Sequence, residues 1–284
     1  MMAGKLYICA TPIGNLEDIT FRAVETLKNV QLIAAEDTRH SGTLLSRYEI
    51  HTPVTSYHEH NRFEKAEVLL SRLKAGDDVA LITDAGTPVI SDPGEVLVQR
   101  ARQEGIEVLT LPGPCALISA LSVSGIPGRR FCFEGFLPAD NTERRAVLEE
   151  LKDETRTVIL YEAPHHLKGT LKELAKALGE RQIAVCRELT KLHEEVLVMT
   201  LPEAAAFYGE NEPKGEYVLV IEGKSASQAA AETAEAWQEM PLTEHLQYYL
   251  DKGLPQKEAM KQMAKDRNTT RREIYNGLLK EDTE

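Results

Sequence analysis

The chain has 284 residues, 42% of them hydrophobic and 27% charged, with a net charge of −12 at neutral pH. That length is comfortable for two domains with a sizeable core, and the composition is that of an ordinary globular protein. The acidic balance excludes a protein that coats nucleic acid nonspecifically, although local charge can still govern docking.

To about residue 124 the pattern alternates short apolar runs, Gly/Pro turns and helical periodicity, the signature of βα units. Leu6-Tyr7-Ile8-Cys9-Ala10 leads into the turn Thr11-Pro12-Ile13-Gly14-Asn15. Thr20 is placed to cap a helix over residues 21–29. A strand at residues 32–35 runs into Glu36-Asp37-Thr38-Arg39-His40, and Asn61 is expected to cap a helix over residues 63–74. Val79-Ala80-Leu81-Ile82 leads into Thr83-Asp84-Ala85-Gly86-Thr87-Pro88, with Ser91-Asp92-Pro93-Gly94 starting the next helix. Val108-Leu109-Thr110-Leu111 leads into Pro112-Gly113-Pro114-Cys115-Ala116. Ligands bind beyond the carboxyl ends of strands in such sheets, so these turns should converge on one pocket.

Ser124-Gly125-Ile126-Pro127-Gly128 breaks the pattern and marks a domain boundary. Beyond it come a strand at 131–134, a helix near 143–151, a strand at 157–161, a helix at 165–178, and strands at 182–187, 194–200 and 217–222. Two of these strands follow each other without a long helix between them, which predicts a mixed second sheet. Residues 224–236 carry no large apolar side chain and read as a linker or an exposed helix. After Pro241 the pattern is wholly helical, with stripes at Leu246, Tyr249 and Leu250, at Ala259, Met260, Met263 and Ala264, and at Ile274, Leu278 and Leu279. The expected division is 1–124, 125–223, a linker at 224–240 and a helical extension at 241–284. Between Asp251 and Lys280 eight basic residues face four acidic ones, so this segment is positive while the rest is acidic. Two short helices and a turn there suit either an RNA-docking element or a packing hairpin.

No apolar stretch approaches a membrane span, and the start Met-Met-Ala-Gly-Lys does not read as a signal peptide. Cys9, Cys115, Cys132 and Cys186 include no pair at metal-ligand spacing. Three of them read as buried hydrophobes, while Cys115 sits at a turn that can line the pocket. The expectations are a cytoplasmic protein with no bound metal. Gly-x-Gly-x-x-Gly and Gly-x-x-x-x-Gly-Lys-Ser/Thr are both absent, which counts against dehydrogenase and nucleoside triphosphatase chemistry.

Asp84 ends a strand beside a loop that brings backbone close to a ligand, and a carboxylate there can accept from a ribose or an amine; an Asx-turn or a helix cap is the plain alternative. Lys191 and His193 follow a strand and could face substrate, or serve only to pair with Glu188 or Glu194. The Glu36–His40 cluster is either functional or self-satisfied at the surface.

The motifs at residues 11–20, 35–39, 84–94, 134–138 (Glu-Gly-Phe-Leu-Pro) and 186–191 (Cys-Arg-Glu-Leu-Thr-Lys) together resemble the bacterial ribosomal small subunit methyltransferase I group, a branch of the tetrapyrrole methylase superfamily. The resemblance spans about residues 5–223. It implies a tetrapyrrole-methylase-like α/β fold of two domains, with a mainly parallel N-terminal sheet, a mixed second sheet and a small helical C-terminal extension. It implies S-adenosyl-L-methionine as cofactor, methylation of the ribose 2′-hydroxyl of a decoding-site cytidine in 16S rRNA, the small ribosomal subunit as partner, and a homodimer. Carried onto this chain, the cofactor contacts are Pro12, Asp84, Thr87, Cys115, Ala116, Tyr161 and the Lys214-Gly215-Glu216 turn. RNA contacts are expected at Arg39, Arg271 and Arg272. A ribose hydroxyl is a poor nucleophile, so a base or a charge near the alkoxide should help, and Glu36, Glu162, His165 and Lys191 are candidates by position after strands. His166 stands where the group has Arg, and residues 196–200 lack its Arg-Gly pair; both departures bear on RNA contacts. A tetrapyrrole C-methyltransferase on the same scaffold and a noncatalytic RNA-binding or assembly factor are the rival readings.

Overall fold

A computed structural model describes residues 3–225 and 237–281. Two compact units emerge from its contacts, one of residues up to 149 with 156–222, the other of residues 150–155 with 223 onward. The linker expected at 224–240 falls mostly on residues 226–236, outside the described residues.

The first unit holds two five-stranded sheets. Its first sheet is built from β1 (Leu6–Cys9), β2 (Leu32–Ala35), β3 (Val54–Ser56), β4 (Val79–Ile82) and β5 (Val108–Leu111), in the order β3-β2-β4-β1-β5. All of its pairings are parallel. β2 and β4 are buried along their whole length, as continuous apolar runs flanked by helices on both faces should be. Alternation sorts the side chains: Leu6, Ile8, Val79 and Leu81 pack with α3 (Arg62–Lys74) and α4 (Gly94–Gln103). Cys9, Ala80 and Ile82 pack on the other side with Ala23 and Leu27 of α1 (Phe21–Asn29) and Leu45 of α2 (Thr38–Arg47).

The second sheet runs β6-β7-β10-β8-β9, from β6 (Phe131–Gly135), β7 (Thr157–Glu162), β8 (Gln182–Arg187), β9 (Glu195–Thr200) and β10 (Tyr217–Ile221). β6 and β7 are parallel and the remaining pairs antiparallel, so the mixed sheet expected from the closely spaced strands is present. The helices of this half are α6 (Asn141–Lys152), α7 (Pro164–Leu178) and α8 (Leu201–Glu210). The connector α5 (Ala116–Val123) leaves β5 of the first sheet and buries Leu117 and Ala120 in a cluster with Ile159, Ala184, Cys186 and Val218 of the second. Ile13, from the turn after β1, joins the same cluster.

The second unit contains α9 (Leu242–Asp251), α10 (Gln256–Asp266) and α11 (Arg271–Glu281) around Met260, Met263, Ala264, Ile274 and Leu278. Leu279, expected in the third apolar stripe, is instead 52% exposed, because Ile274 and Leu278 alone fill that side of α11. His245 is fully buried, stacked on Trp237 with ring centroids 4.0 Å apart. Arg267 turns inward, its Nε donating to His245 Nδ1 at 3.1 Å, and so serves packing. Burial and the neighbouring Arg267 charge both push the His245 pKa down.

Thr20 caps α1 by accepting from the Ala23 amide at 3.1 Å, as the sequence suggested. Asn61 does not cap α3; its Oδ1 accepts from the His58 amide at 2.9 Å, closing a local turn instead. Tyr57, 1% exposed at the end of β3, donates its hydroxyl to the Pro93 carbonyl at 3.2 Å and so fixes the entry of α4. Tyr57→Phe should lower stability by about 1 kcal/mol, the net worth of a buried hydrogen bond, read from chemical denaturation. A variant as stable as the wild type would show that this bond contributes nothing.

Candidate active site

Every turn that follows β1, β4 and β5 leaves the same edge of the first sheet, and the ends of β6, β7 and β8 with the start of β10 lie together in the second. Two adjoining clefts form where these edges meet. The larger, of about 410 Å³, is lined by Thr87, Cys115, Ala116, Tyr161, Glu162 and Glu216 among the residues expected from sequence, together with Ile13, Gly86, Ile90, Phe136, Cys186, Leu189, Tyr217 and Val218. The smaller, of about 300 Å³, is lined by Pro12, Asp84, Lys191, Glu216, Leu16, His40 and Leu44. Ile13, Ala85 and Glu216 belong to both, so the clefts share a boundary.

Close backbone approach makes this geometry. Thr11 and Gly86 exchange amide-to-carbonyl bonds at 2.9 and 3.1 Å, locking the turn after β1 to the turn after β4. Thr87 donates its hydroxyl to the Pro114 carbonyl at 3.1 Å, tying in the turn after β5. Across to the second sheet, the Asn15 amide donates to Thr190 Oγ1 at 3.2 Å. A Cβ on Gly14 would lie 2.4 Å from Lys191 Cγ, so no other residue fits there without movement. Gly215, at φ +85°, is held just as closely: a Cβ would lie 2.5 Å from Glu188 Cδ.

Strain collects in the same place. Val89 and Ser91 adopt φ of +79° and +60° at the larger cleft, and Glu188 and Thr190 adopt +50° and +66° beside Lys191. For a β-branched residue such as Val89 this backbone is costly and persists only where surroundings enforce it. Here Asp92 does so, its carboxylate accepting from the Val89 and Gly94 amides at 2.7 Å each. Burial, the largest influence on Asp92, pushes its pKa up.

The polar side chains divide by their partners. Lys191 Nζ donates to Glu216 Oε2 at 2.7 Å and to Glu188 Oε1 at 2.9 Å. Burial opposes its charge, but the two carboxylates outweigh it and the Lys191 pKa is raised. Lys191 is thus a cation held by two carboxylates at the wall of the smaller cleft. Asp84, half-buried, accepts from the Asp37 amide at 3.0 Å; burial, opposed by that bond, raises its pKa. Glu162 is 6% exposed and faces the larger cleft, yet its Oε1 accepts from the Ala163 amide at 2.8 Å and its Oε2 from Thr170 Oγ1. Thr170 in turn accepts from Arg144 at 2.7 Å, so Glu162 belongs to a braced network. Glu36 lines neither cleft; its Oε2 accepts from Thr83 Oγ1 at 2.7 Å. His165 is exposed on the first turn of α7 and also lines neither.

Asp37 caps α2 through the Arg39 amide at 2.8 Å and pairs with the Arg39 guanidinium at 3.1 Å. Those bonds from Arg39 hold Asp37 down at about 2. The Arg39 side chain nonetheless stays 91% exposed. Arg271 and Arg272 are exposed at the start of α11. Tyr161 meets Phe133 and Phe136 edge to face at 4.8 and 5.7 Å, and burial lifts its pKa to about 12. Burial likewise lifts the Cys186 thiol to about 12, so it lines the cleft as an apolar group.

A largely apolar cleft thus lies between the two α/β halves, walled by turns at strand ends. Residues 5–205 match the family described as Tetrapyrrole (Corrin/Porphyrin) Methylases. Uroporphyrin-III C-methyltransferase from Thermus thermophilus, solved in complex with S-adenyl homocysteine, has a TM-score of 0.56 at 18% identity, covering 77% of this chain and 97% of that one. Ribosomal RNA small subunit methyltransferase I of Synechocystis is 50% identical over 273 residues, 96% of either chain, and that of Bacillus subtilis is 47% identical over 96% of this chain and 93% of its own. The chain belongs to the tetrapyrrole methylase family, on the ribosomal RNA small subunit methyltransferase I branch.

The ion triad predicts a pH signature. Burial works against the Glu188 charge, but Lys191 and the Glu216 amide outweigh it and hold its pKa below the ordinary 4.5. Its contribution is complete above that value and is lost as pH falls through the lowered folded pKa. The Lys191 contribution is complete below 10.5 and is lost as pH rises through its raised value. Lys191→Met should therefore melt lower than wild type at pH 7, by no more than about 2 °C for so solvent-screened a pair. The gap should narrow as the pH falls below 4.5 and Glu188 takes up a proton at its lowered folded pKa. A gap that persists in acid would assign the effect to packing.

Proposed function

We propose that this protein is an S-adenosyl-L-methionine-dependent methyltransferase that methylates the ribose 2′-hydroxyl of a decoding-site cytidine in 16S rRNA. The observation that carries the reading is near-half identity over almost the full length of relatives named for the ribosomal small subunit, on a chain whose cleft is complete. The larger cleft suits the cofactor: its volume lies in the range of small-molecule sites, and its walls are apolar with a few convergent polar groups. Thr87, Cys115, Ala116 and Tyr161 would hold it from both sides, with the Gly215-Glu216 turn at the junction, and Pro12 and Asp84 would reach its methionine end across that junction from the smaller cleft. When bound, the cofactor supplies an activated methyl group on a sulfonium.

The adjoining smaller cleft takes the target nucleotide, and alignment across the shared boundary at Ile13, Ala85 and Glu216 contributes much of the rate. Lys191 faces that cleft as a permanent cation and stabilises charge developing on the ribose oxygen. Glu162, braced by Thr170 and Ala163, orients groups at the cleft wall. Glu36 and His165 lie off the clefts and have the weaker claim to a role in proton transfer. Arg39, Arg271 and Arg272 offer exposed guanidinium groups to RNA phosphates. A cytoplasmic homodimer working without a metal ion on the small ribosomal subunit completes the reading.

The protein should bind S-adenosyl-L-methionine by calorimetry with the same affinity in the presence of a chelator. Asp84→Ala should weaken it about tenfold, the loss of one charged hydrogen bond; unchanged affinity would remove Asp84 from the site. Methyl incorporation into small ribosomal subunits, followed by mapping of ribose methylation, tests the substrate. Neutralising Arg271 and Arg272 together should weaken subunit binding and flatten its salt dependence without changing cofactor affinity. Methylation of a tetrapyrrole alone would overturn the RNA reading.

A further inference from the structure

Among the described residues, the two most exposed large apolar side chains are Phe21, at 95%, and Leu192, at 93%. Single exposed apolar residues are common and need no explanation. These two differ in where they stand and in how they are held. Leu192 follows Lys191, whose side chain lines the smaller cleft, in the connection between β8 and β9. Phe21 opens α1, directly after the segment following β1, which lines the same cleft through Pro12, Gly14 and Leu16. The Asn15 amide bond to Thr190 Oγ1 and the contact of Gly14 with Lys191 join the two turns directly.

The Leu192 connection is also braced along its length. The Thr190 amide donates to Glu194 Oε2 at 2.6 Å, the Lys191 amide to the Glu188 carbonyl at 3.0 Å, and the Glu194 amide to the Lys191 carbonyl at 3.1 Å. Two ion pairs anchor Lys191 from below. Phe21 is fixed by the Thr20 cap of α1, whose buried side is Ala23 and Leu27. Stiff backbone thus presents two apolar side chains to solvent on segments that line the smaller cleft, Leu192 directly after Lys191 and Phe21 at the end of the segment that carries Pro12, Gly14 and Leu16. An enzyme that acts on one nucleotide of a folded RNA must draw it out of its stack, and inserted apolar side chains are a common means of filling the gap.

We propose that Leu192 is a wedge that enters the RNA stack beside the extruded nucleotide, with Phe21 as a stacking surface for a neighbouring base. The proposal rests on the RNA reading above and names the side chains that make contact. Glu17, Asp18, Glu188 and Glu194 surround these turns, so the contact is apolar in character and the attraction to phosphate comes from elsewhere. That distinction makes it separable from charge-driven docking.

The test uses the full-length protein, small ribosomal subunits and S-adenosyl-L-methionine, with Leu192→Ala, Phe21→Ala, the double variant and Leu192→Met, at two salt concentrations. Both sites are exposed, so folding is spared, and a cofactor titration verifies each variant. Leu192→Ala should lower kcat/KM about tenfold or more, as expected for leaving one leucine out of an apolar contact. Phe21→Ala should lose less, Leu192→Met should recover most of the rate, and the salt slope and cofactor affinity should match wild type. Wild-type turnover in the double variant would overturn the wedge and leave the RNA reading standing. A change in oligomeric mass by sedimentation would assign this rim to a second copy of the chain and overturn it also. Wild-type protein that fails to methylate subunits would instead overturn the RNA reading, and the wedge with it.

Discussion

The cleft takes its shape where the turn after β1 and the turn before β10 press so closely on the β8–β9 connection that only glycine fits without movement. Gly14 lies against Lys191 and Thr190, and Gly215 lies against Glu188. Both contacts converge on the single connection between β8 and β9. From that meeting point the turn after β1 is locked to the turn after β4 by the Thr11–Gly86 bonds, and through Thr87 to the turn after β5. Position is therefore relayed across four chain segments by the paired main-chain bonds of Thr11 and Gly86 and by the short side chains of Thr87 and Thr190. A lattice of this kind defines the shape of the cleft more strictly than flexible side chains could, since each amide has one direction in which to donate.

Charge is arranged with the same economy. Lys191 is the cation that faces the smaller cleft, and two carboxylates hold it rather than cancel it. Glu216 serves twice, as partner to Lys191 and as the wall common to both clefts. Glu162 offers a contrast: both of its oxygens are occupied by Ala163 and Thr170, so it stiffens the wall.

Much of this was legible in the sequence. Apolar runs such as Val79-Ala80-Leu81-Ile82, followed by Gly/Pro turns, identify strands and the end at which they open. The closely spaced strands β8 and β9 reveal the mixed sheet. What escaped was short or depended on distant partners. β3 has three residues, too few to show a period, and α2 opens on Thr38-Arg39-His40-Ser41-Gly42 with its buried apolar side chains confined to Leu44 and Leu45, so no apolar run marks its start. α8 was missed although Thr200 and Glu203 form a capping box at its start, a signal that could have found it. Asn61 looked like a cap because its type and place were right, but the nearby His58 amide competed successfully for it. Phe136 and Leu189 line the larger cleft from within the quoted Glu-Gly-Phe-Leu-Pro and Cys-Arg-Glu-Leu-Thr-Lys motifs, and were passed over because apolar residues there look like ordinary core. No local pattern distinguishes His165, which is exposed, from Lys191, which faces a cleft, since each simply follows a strand.

The position of β9 in the second sheet has an evolutionary consequence. It is the outermost strand, paired to β8 alone and joined to it by residues 188–194. A hairpin at a sheet edge can lengthen, shorten or change its tip without disturbing the order of the inner strands. Most of that connection is pinned, however: residues 188–191 are held by Gly14, Gly215 and Glu216, Leu189 is part of the larger cleft's wall, and Glu194 binds the Thr190 amide, so the freedom to vary is confined to Leu192 and His193 at the tip. Lineages sharing the cleft can diverge at those two positions, while any change nearer β8 is felt by the whole cavity.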